Sequence, residues 1–483
     1  MSASTASDIH VFEVHGRKLA FNGSTYGVAV LNDNAYQAFR KAIDGKPLDE
    51  GEQAICSGIM ASLGENGENH NLSSSSHNAP PQITVPLSSL SLLITSYCNM
   101  RCSYCFNHQG AYKFKKRQIM SIETAKNAVD FLLSKCDRQC GVSFFGGEPL
   151  TQFPLIMKTV EYAEKLAHSQ GIRISFHVTT NGTLITPEIA RFLKSHDFSV
   201  IISLDGDEES HDSHRRFANG TGSYQIALRG AKRLVEEFGS QQKITIRSTY
   251  TRQQTSFSNW FVHLVKHGFE NISIEHAVGD EMDKYAIRPE DIPAVLEEYG
   301  LLADAYQKVK SVSPQVQFFH FEKHIRDLVQ HRTTNRPCGA ANGYMVVTPD
   351  GGIYPCHRIV TDEYRLGNVN EILNGGVDLN QAIRHTFSNA ITLNRSDCQT
   401  CWARFMCGGS CYADSIQTKH NMTEHDDVHC RLFKRRAELV IGLVAEQPLA
   451  KYHTDSTFDK TDFFYPTSCP SRCECQCQTK GDD

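Results

Sequence analysis

Short apolar runs recur along the middle of the chain, separated by stretches whose apolar positions fall three and four residues apart. The runs are LSLLIT (90–95), VSFF (142–145), RISFHV (173–178), SVIISL (199–204), KITIRS (243–248) and NISIEH (271–276). Their length and their β-branched and aromatic residues predict buried strands. Between them the spacing predicts amphipathic helices, among them 122–134 with Ser121 as N-cap, and 187–194 with Thr186 as cap and Pro187 at the first helical position. Strands alternating with helices predict a parallel sheet with crossover helices. Six such units are too few for a closed eight-stranded barrel. The expected fold class is therefore α/β, a partial (β/α)6 barrel over residues 83–325, with its chemistry at the C-terminal ends of the strands.

Residues 8–62 read as a small separate α+β domain: IHVFEVHGRKLAFNG alternates about a turn at 15–17, and NAYQAFRKAI predicts a short helix. Between 63 and 82 the composition shifts to GENGENHNLSSSSHNAPP, which offers too little apolar surface to order and reads as a linker. A cysteine-rich domain is expected at 330–445 and a cysteine-rich tail at 446–483.

The chain of 483 residues is 40% hydrophobic and 21% charged, ordinary for a folded protein able to bury a large core. A net charge of −5 and no basic stripe beyond KFKKR (113–117), a solvated surface run, argue against a nucleic-acid partner. The N-terminus lacks an apolar segment of signal-peptide length, and no stretch approaches the roughly 18 apolar residues of a membrane span. No membrane partner is expected, and the expected location is cytoplasmic. In that compartment the seventeen cysteines are reduced thiols, pointing to metal or cluster ligation and away from disulfides.

Their grouping sharpens that reading. Cys98, Cys102 and Cys105 lie in CNMRCSYCF, directly after the first strand run. A four-iron cube held by three thiolates keeps one iron for a small molecule, whereas zinc sites usually close with four ligands in paired spacings. The C-x3-C-x2-C loop with the aromatic Tyr104 before its last cysteine resembles that of the radical S-adenosylmethionine superfamily, which implies that the open iron is chelated by S-adenosyl-L-methionine. After the second run stands Gly146-Gly147-Glu148-Pro149; two residues without side chains let the backbone approach a ligand, and a carboxylate accepts from an ammonium. It resembles the superfamily's glycine-rich segment that holds the methionine amino group. A phosphate loop is excluded because no Gly-Lys-Ser/Thr follows. TTNGT (179–183), SLDG (203–206) and HDSHRRF (211–217) fit by position, and the resemblance implies that Ser203 and Arg215 meet the cofactor's ribose and carboxylate. For Asn181 and Asp205 a turn or cap role stands level with direct contact.

Downstream come Cys338, then Cys356 closing GIYPC, then Cys398-x2-Cys401-x5-Cys407-x3-Cys411, then Cys430. This order and spacing resembles the SPASM domain of radical enzymes. The resemblance implies one auxiliary cluster on Cys398, Cys401, Cys407 and Cys430 and another on Cys338, Cys356 and Cys411, whose fourth thiolate is missing: the chain reads CGAANGYMVVTPDGG where relatives carry a further cysteine. Three [4Fe-4S] clusters and S-adenosyl-L-methionine are thus the expected cofactors. In the tail, Cys469, Cys473, Cys475 and Cys477 match no SPASM position. Another metal, the open cluster, a substrate-like segment and a plain exposed end all remain open for them.

The resemblance implies reductive cleavage of S-adenosyl-L-methionine to a 5'-deoxyadenosyl radical that removes hydrogen from an unactivated carbon. The N-terminal unit resembles leader-recognition domains of enzymes that modify ribosomal peptides, where a precursor's leader adds as a strand. The preferred expectation is a maturase that links a cysteine sulfur to a carbon, with a cysteine-containing precursor peptide and an electron donor such as flavodoxin or ferredoxin as partners. Its competitors are a carbon–carbon crosslinking maturase, a formylglycine-forming sulfatase maturase, and, far behind, a non-enzymatic iron–sulfur carrier. Sulfatase maturases place an aspartate base after the cysteine matching Cys356, where this chain has His357. Glu123, Asp350 and the twenty-two histidines include no group whose spacing selects it as general base.

Overall fold

A hairpin forms at residue 15 because the chain there adopts the left-handed backbone that a tight two-residue turn demands. In the computed structural model, which describes residues 8–64, 85–107, 116–239, 243–280, 282–373, 375–376 and 378–446, strands β1 (Ile9–Val14) and β2 (Arg17–Asn22) pair antiparallel. The turn residues His15 and Gly16 have φ of 49° and 71°. Strand β3 (Val28–Leu31) joins β2, giving the order β1-β2-β3. Helices Asp33–Ile43 and Glu50–Ser62, capped by Asn32 and Asp49, complete the unit. The period-2 alternation serves two cores. Ile9, Val11, Ala20 and Leu31 pack with Phe39 in a small local core, while Phe12, Val14, Leu19 and Phe21 belong to the main core of the protein.

That second face docks on the cysteine-rich region. The His10 ring stacks on Trp402 with centroids 4.0 Å apart, the Tyr26 hydroxyl donates to the Phe405 carbonyl at 2.7 Å, and Asp8 pairs with Arg404. A Cβ on Gly23 would stand 1.9 Å from the Trp402 carbonyl oxygen, so only glycine fits there.

All six predicted apolar runs are strands: β4 (Ser89–Thr95), β5 (Gln139–Gly146), β6 (Arg173–Thr180), β7 (Ser199–Ser203), β8 (Ile244–Tyr250) and β9 (Asn271–His276). They pair in parallel in sequence order. The predicted helices extend over Ile122–Lys135 and Pro187–Ser195, with the Ser121 and Thr186 hydroxyls accepting from the Thr124 and Ile189 amides at 3.0 and 3.3 Å. The sheet is larger than the sequence foretells, with ten strands in the order β10-β9-β8-β7-β6-β5-β4-β11-β12-β13. β10 (Gln317–Phe318) adds beside β9. On the other side β11 (Tyr344–Val347) pairs parallel with β4 and leads into the antiparallel β12 (Gly352–Tyr354) and β13 (Gly367–Asn368). The cysteine-rich region therefore grows from the barrel's first strand. Helix Asp427–Ala445 returns across helices Ile292–Val312 and Phe319–Val329 and reaches Val14 through Gly442.

The linker expected at 63–82 and the tail expected at 446–483 lie, apart from their first residues, outside the described residues, as do most of KFKKR and all four tail cysteines. Among the described residues no helix is long and apolar enough to cross a membrane.

The docking predicts a stability effect. Gly23→Ala forces the two regions apart and is expected to remove about 1–3 kcal/mol, the usual range for an overpacked contact. Gly45→Asn, at φ 68° with open space around it, is the control and should shift stability by about 0.5 kcal/mol or less. Urea unfolding midpoints compare the two.

Candidate active site and cluster-binding thiols

The cysteine loop leaves β4 at Thr95 and is gripped from both sides. On one side Arg101 N donates to Arg216 O at 2.8 Å, Ser103 N to His214 O at 3.0 Å, and Ala218 N to Asn99 O at 3.0 Å. His214 also meets the Ser103 hydroxyl through Nδ1 at 2.7 Å and the Thr251 hydroxyl through Nε2 at 3.1 Å. The segment HDSHRRF, singled out for Arg215 alone, is thus a brace for the loop. On the other side Gly147 N donates to Thr95 O and Glu148 N to Tyr97 O, both at 2.8 Å. A Cβ on Gly146 would lie 2.3 Å from Thr95 O and one on Gly147 2.2 Å from Tyr97 O. The close backbone approach that requires these two glycines is therefore an approach to the cysteine loop itself. Asn107 completes the grip: its amide donates to Gly146 O at 3.2 Å and its oxygen lies 2.5 Å from the Cys105 sulfur.

Glu148, 1% exposed, accepts from the Thr180 hydroxyl and Asn181 N, each at 2.7 Å, and from Leu150 N at 3.0 Å. Burial raises its carboxyl to about 6 despite these donors. Asn181 holds a turn: its oxygen accepts from Thr183 N at 3.0 Å and its amide donates to Asn99 at 2.9 Å. Of the two roles left open for it, the observed bonds are those of the turn. Asp205 accepts from Thr249 N at 3.0 Å and from the Tyr104 hydroxyl, which in turn accepts from Arg215 Nη1 at 2.9 Å. Tyr104 thus bridges the buried Asp205 and Arg215. Burial pushes the Asp205 carboxyl up, with Arg215 and Tyr104 opposing it. Ser203 ends β7 and lines the same cavity.

The downstream thiols fall into two groups. The leading thiol influences on Cys411 are Cys338 and Cys356, and those on Cys430 are Cys407, Cys398 and Cys401. Burial pushes Cys98, Cys338 and Cys407 up to about 12, because an enclosed thiolate loses its hydration; Arg395 at Cys338 and Arg436 at Cys407 oppose the shift only in part. Among the described residues no three His, Cys, Asp or Glu side chains converge closely enough to share one metal ion.

A cavity of about 530 Å³ fills the barrel mouth and is lined by Cys98, Cys102 and Cys105, by Cys338, Cys356 and Cys411, and by Cys407. His357 lies in its wall, with Nδ1 3.0 Å from the Tyr344 hydroxyl and its ring 4.8 Å from Phe145 and 5.6 Å from Phe106. Burial, helped by Arg358 and Arg247, holds its imidazole down at about 3. Beside Cys411, Arg358 forms an ion pair with Asp414 and donates its backbone N to the Cys356 sulfur at 3.5 Å. These residues suit anionic clusters and a carboxylate-bearing cofactor. The three thiol groups supply the soft donors that iron takes, and Arg215 Nε is buried with no hydrogen-bond partner among the described residues. Sequence reasoning missed Asn107, His214, Arg358 and Asp414. Only Asn107, two residues past Cys105, stands near enough to a motif to have been found.

Two stretches of the chain match known families: residues 92–255 match the Radical SAM superfamily, and residues 338–402 match SPASM, an iron-sulfur cluster-binding domain. The second match takes in Cys338, Cys356, Cys398 and Cys401 and stops before Cys407, Cys411 and Cys430. A cysteine-type anaerobic sulfatase-maturating enzyme of Clostridium novyi (strain NT) is 26% identical over 371 residues, covering 72% of this chain and 94% of that enzyme. The radical SAM cyclopropyl synthase TigE of Paramaledivibacter caminithermalis is 24% identical over 395 residues, 77% of each chain. The solved structure of Streptococcus suis SuiB bound to precursor peptide SuiA resembles this fold with a TM-score of 0.50 at 17% identity, covering 87% of this chain and 98% of that one. With the first region running from β4 through β8 and the second carrying Cys338, Cys356, Cys398 and Cys401, the chain is an enzyme that joins a region of the Radical SAM superfamily to a SPASM iron–sulfur cluster-binding region.

Proposed function

We propose that this enzyme matures a ribosomally made precursor peptide by joining a cysteine sulfur to a carbon of another residue, giving a thioether. The observation that carries the reading is the shared cavity, in which the Cys98/Cys102/Cys105 thiols and the Cys338/Cys356/Cys411 thiols line one space. A substrate side chain lodged there faces both. When bound, the cluster and S-adenosyl-L-methionine would supply a 5'-deoxyadenosyl radical able to take hydrogen from an unactivated carbon. Cys98, Cys102 and Cys105 would hold that cluster, Arg215 would orient the cofactor carboxylate through its spare Nε–H, and Ser203 would meet the ribose. Tyr104 and Asp205 hold Arg215 in place. Phe106 and Phe145, beside His357, would form the apolar side of the space around the reacting carbon.

Cys398, Cys401, Cys407 and Cys430 would hold one auxiliary cluster and Cys338, Cys356 and Cys411 the other. No fourth cysteine joins the latter group among the described residues, which suits a substrate thiolate as the remaining ligand. Strand β3 supports a peptide substrate: it pairs only with β2 among the described residues, and Val30 on it is 64% exposed. Such an edge accepts an added strand. A second reading, formylglycine formation in a sulfatase, is favoured by the likeness to the clostridial enzyme, and carbon–carbon coupling uses the same equipment.

Reduced, reconstituted protein kept free of oxygen is expected to release 5'-deoxyadenosine from S-adenosyl-L-methionine, and Cys102→Ala to release none; chromatography of the products decides. For the reaction itself, each link is expected to remove two hydrogens and one free thiol from the precursor, read by mass spectrometry before and after alkylation. Retention of every thiol would indicate carbon–carbon coupling, and loss of sulfur would indicate formylglycine. Val30→Asp should leave the fold within about 0.5 kcal/mol while weakening binding of the precursor's leader segment by about 1 kcal/mol, roughly fivefold. Fluorescence polarisation of a labelled leader peptide measures it.

A further inference from the structure

Arg395 is 2% exposed. Its Nη1 reaches the carbonyl and the hydroxyl of Ser410, both at 3.4 Å. Its Nε and Nη2 are buried and have no hydrogen-bond partner among the described residues. Those two N–H groups form one side of the guanidinium fork, the side that elsewhere grips an anion in bidentate fashion. The guanidinium carbon stands 5.3 Å from the Tyr412 ring centroid, and a Cβ on Gly409, whose φ is 93°, would lie 3.0 Å from Nη1. The side chain is therefore nested in the loop Cys407-Gly408-Gly409-Ser410-Cys411, which joins one auxiliary thiol group to the other. Its charge bears on Cys338 of one group and on Cys398 of the other.

An arginine cannot shed its proton, and a buried charge without a partner is strongly unfavourable. The nearby carboxylates are engaged elsewhere, Asp397 with His425 and Asp414 with Arg358. What remains to balance the cation is the negative charge that the two thiol groups acquire when they ligate iron.

We propose that Arg395 is a positioning residue shared by the two auxiliary clusters: its idle fork donates to cluster sulfur, and its charge, lying between the thiol groups, holds both reduction potentials up together. Net charge and hydrogen bonds to sulfur are the levers by which a protein sets such potentials. Clusters held by the two thiol groups would then lie close in potential, because one guanidinium serves both. The inference rests on the cluster reading given above and deepens it.

The test uses the full chain, reconstituted without oxygen, as wild type, Arg395→Gln and Arg395→Lys. Iron and sulfide are assayed, and the reduced clusters are followed by electron paramagnetic resonance during a redox titration. In Arg395→Gln both auxiliary signals are expected to move to more negative potential by a tenfold change in the oxidised-to-reduced ratio, about 59 mV for one electron. The signal that responds to S-adenosyl-L-methionine should stay in place, and Arg395→Lys should shift less. Full iron content with both potentials unmoved in Arg395→Gln would overturn the inference. Thermal unfolding decides if that variant loads poorly: without iron it should unfold no earlier than wild type, since an uncompensated charge has been removed. An equal loss of Tm with and without iron would mark Arg395 as merely structural. Wild-type protein holding iron for one cube alone would refute the cluster reading itself.

Discussion

Everything in the site hangs on the parallel pairing of β4 with β5 on one side and β11 on the other. β4 is buried at every one of its seven positions, and its C-terminal end delivers the Cys98 loop. β5 brings Gly146 to Glu148 against that loop, and β11 brings the hairpin that ends in Cys356. Because neighbouring strands stand about 4.8 Å apart, groups carried at the ends of adjacent strands arrive at one place. The first thiol group and the Cys338/Cys356/Cys411 group share a cavity for this reason, and no flexible hinge is needed to bring them together.

The second governing term is charge. The site encloses ten thiols in three groups together with Arg215, Arg358, Arg395 and Arg436, each buried or nearly so. Burial pushes the thiols of Cys98, Cys338 and Cys407 up, so that without a ligand they favour their protons beside cationic guanidinium groups. Ligated iron reverses that balance, since every thiol then carries negative charge and the guanidinium groups become its counter-ions. Asp205 and Asp414 are already committed to Arg215, through Tyr104, and to Arg358. On the proposed reading, bound clusters would complete the enclosed polar network and couple cluster loading to stability as well as to chemistry.

Much of this was legible in the order of residues because its signals are local. β4 to β9 announce themselves as apolar runs, the helix starts at Ser121 and Thr186 as capping residues, and the thiol groups as spacings. β10 and β13 escape because two residues carry no period, and β11 because its pairing with β4 joins positions some 250 residues apart. The brace formed by His214 and Arg216 on the cysteine loop is hidden for the same reason. The glycines at 146 and 147 could be read as demanding a close approach, but the partner they approach is visible only in three dimensions. Arg395 had no signal at all: an arginine three residues before a cysteine is unremarkable until its burial and its idle donors are seen.

The placement of the N-terminal unit bears on how a substrate would be used. Its sheet packs one face on Trp402 and Phe405, within the loop that carries Cys401 and Cys407, and leaves the β3 edge unpaired among the described residues. A strand added at that edge is held by backbone hydrogen bonds, which read direction and register but little sequence. Recognition of a leader and selection of the modified residue are then separate tasks. On the proposed function the edge would tether the peptide, raising its effective concentration at the cavity, and the intervening residues, at about 3.3 Å each when extended, would set which of them reaches the thiol-lined space. On this reading the cavity need not recognise a long motif, because the packing of the N-terminal sheet on residues 402–405 would set the distance along the chain from leader to site of chemistry.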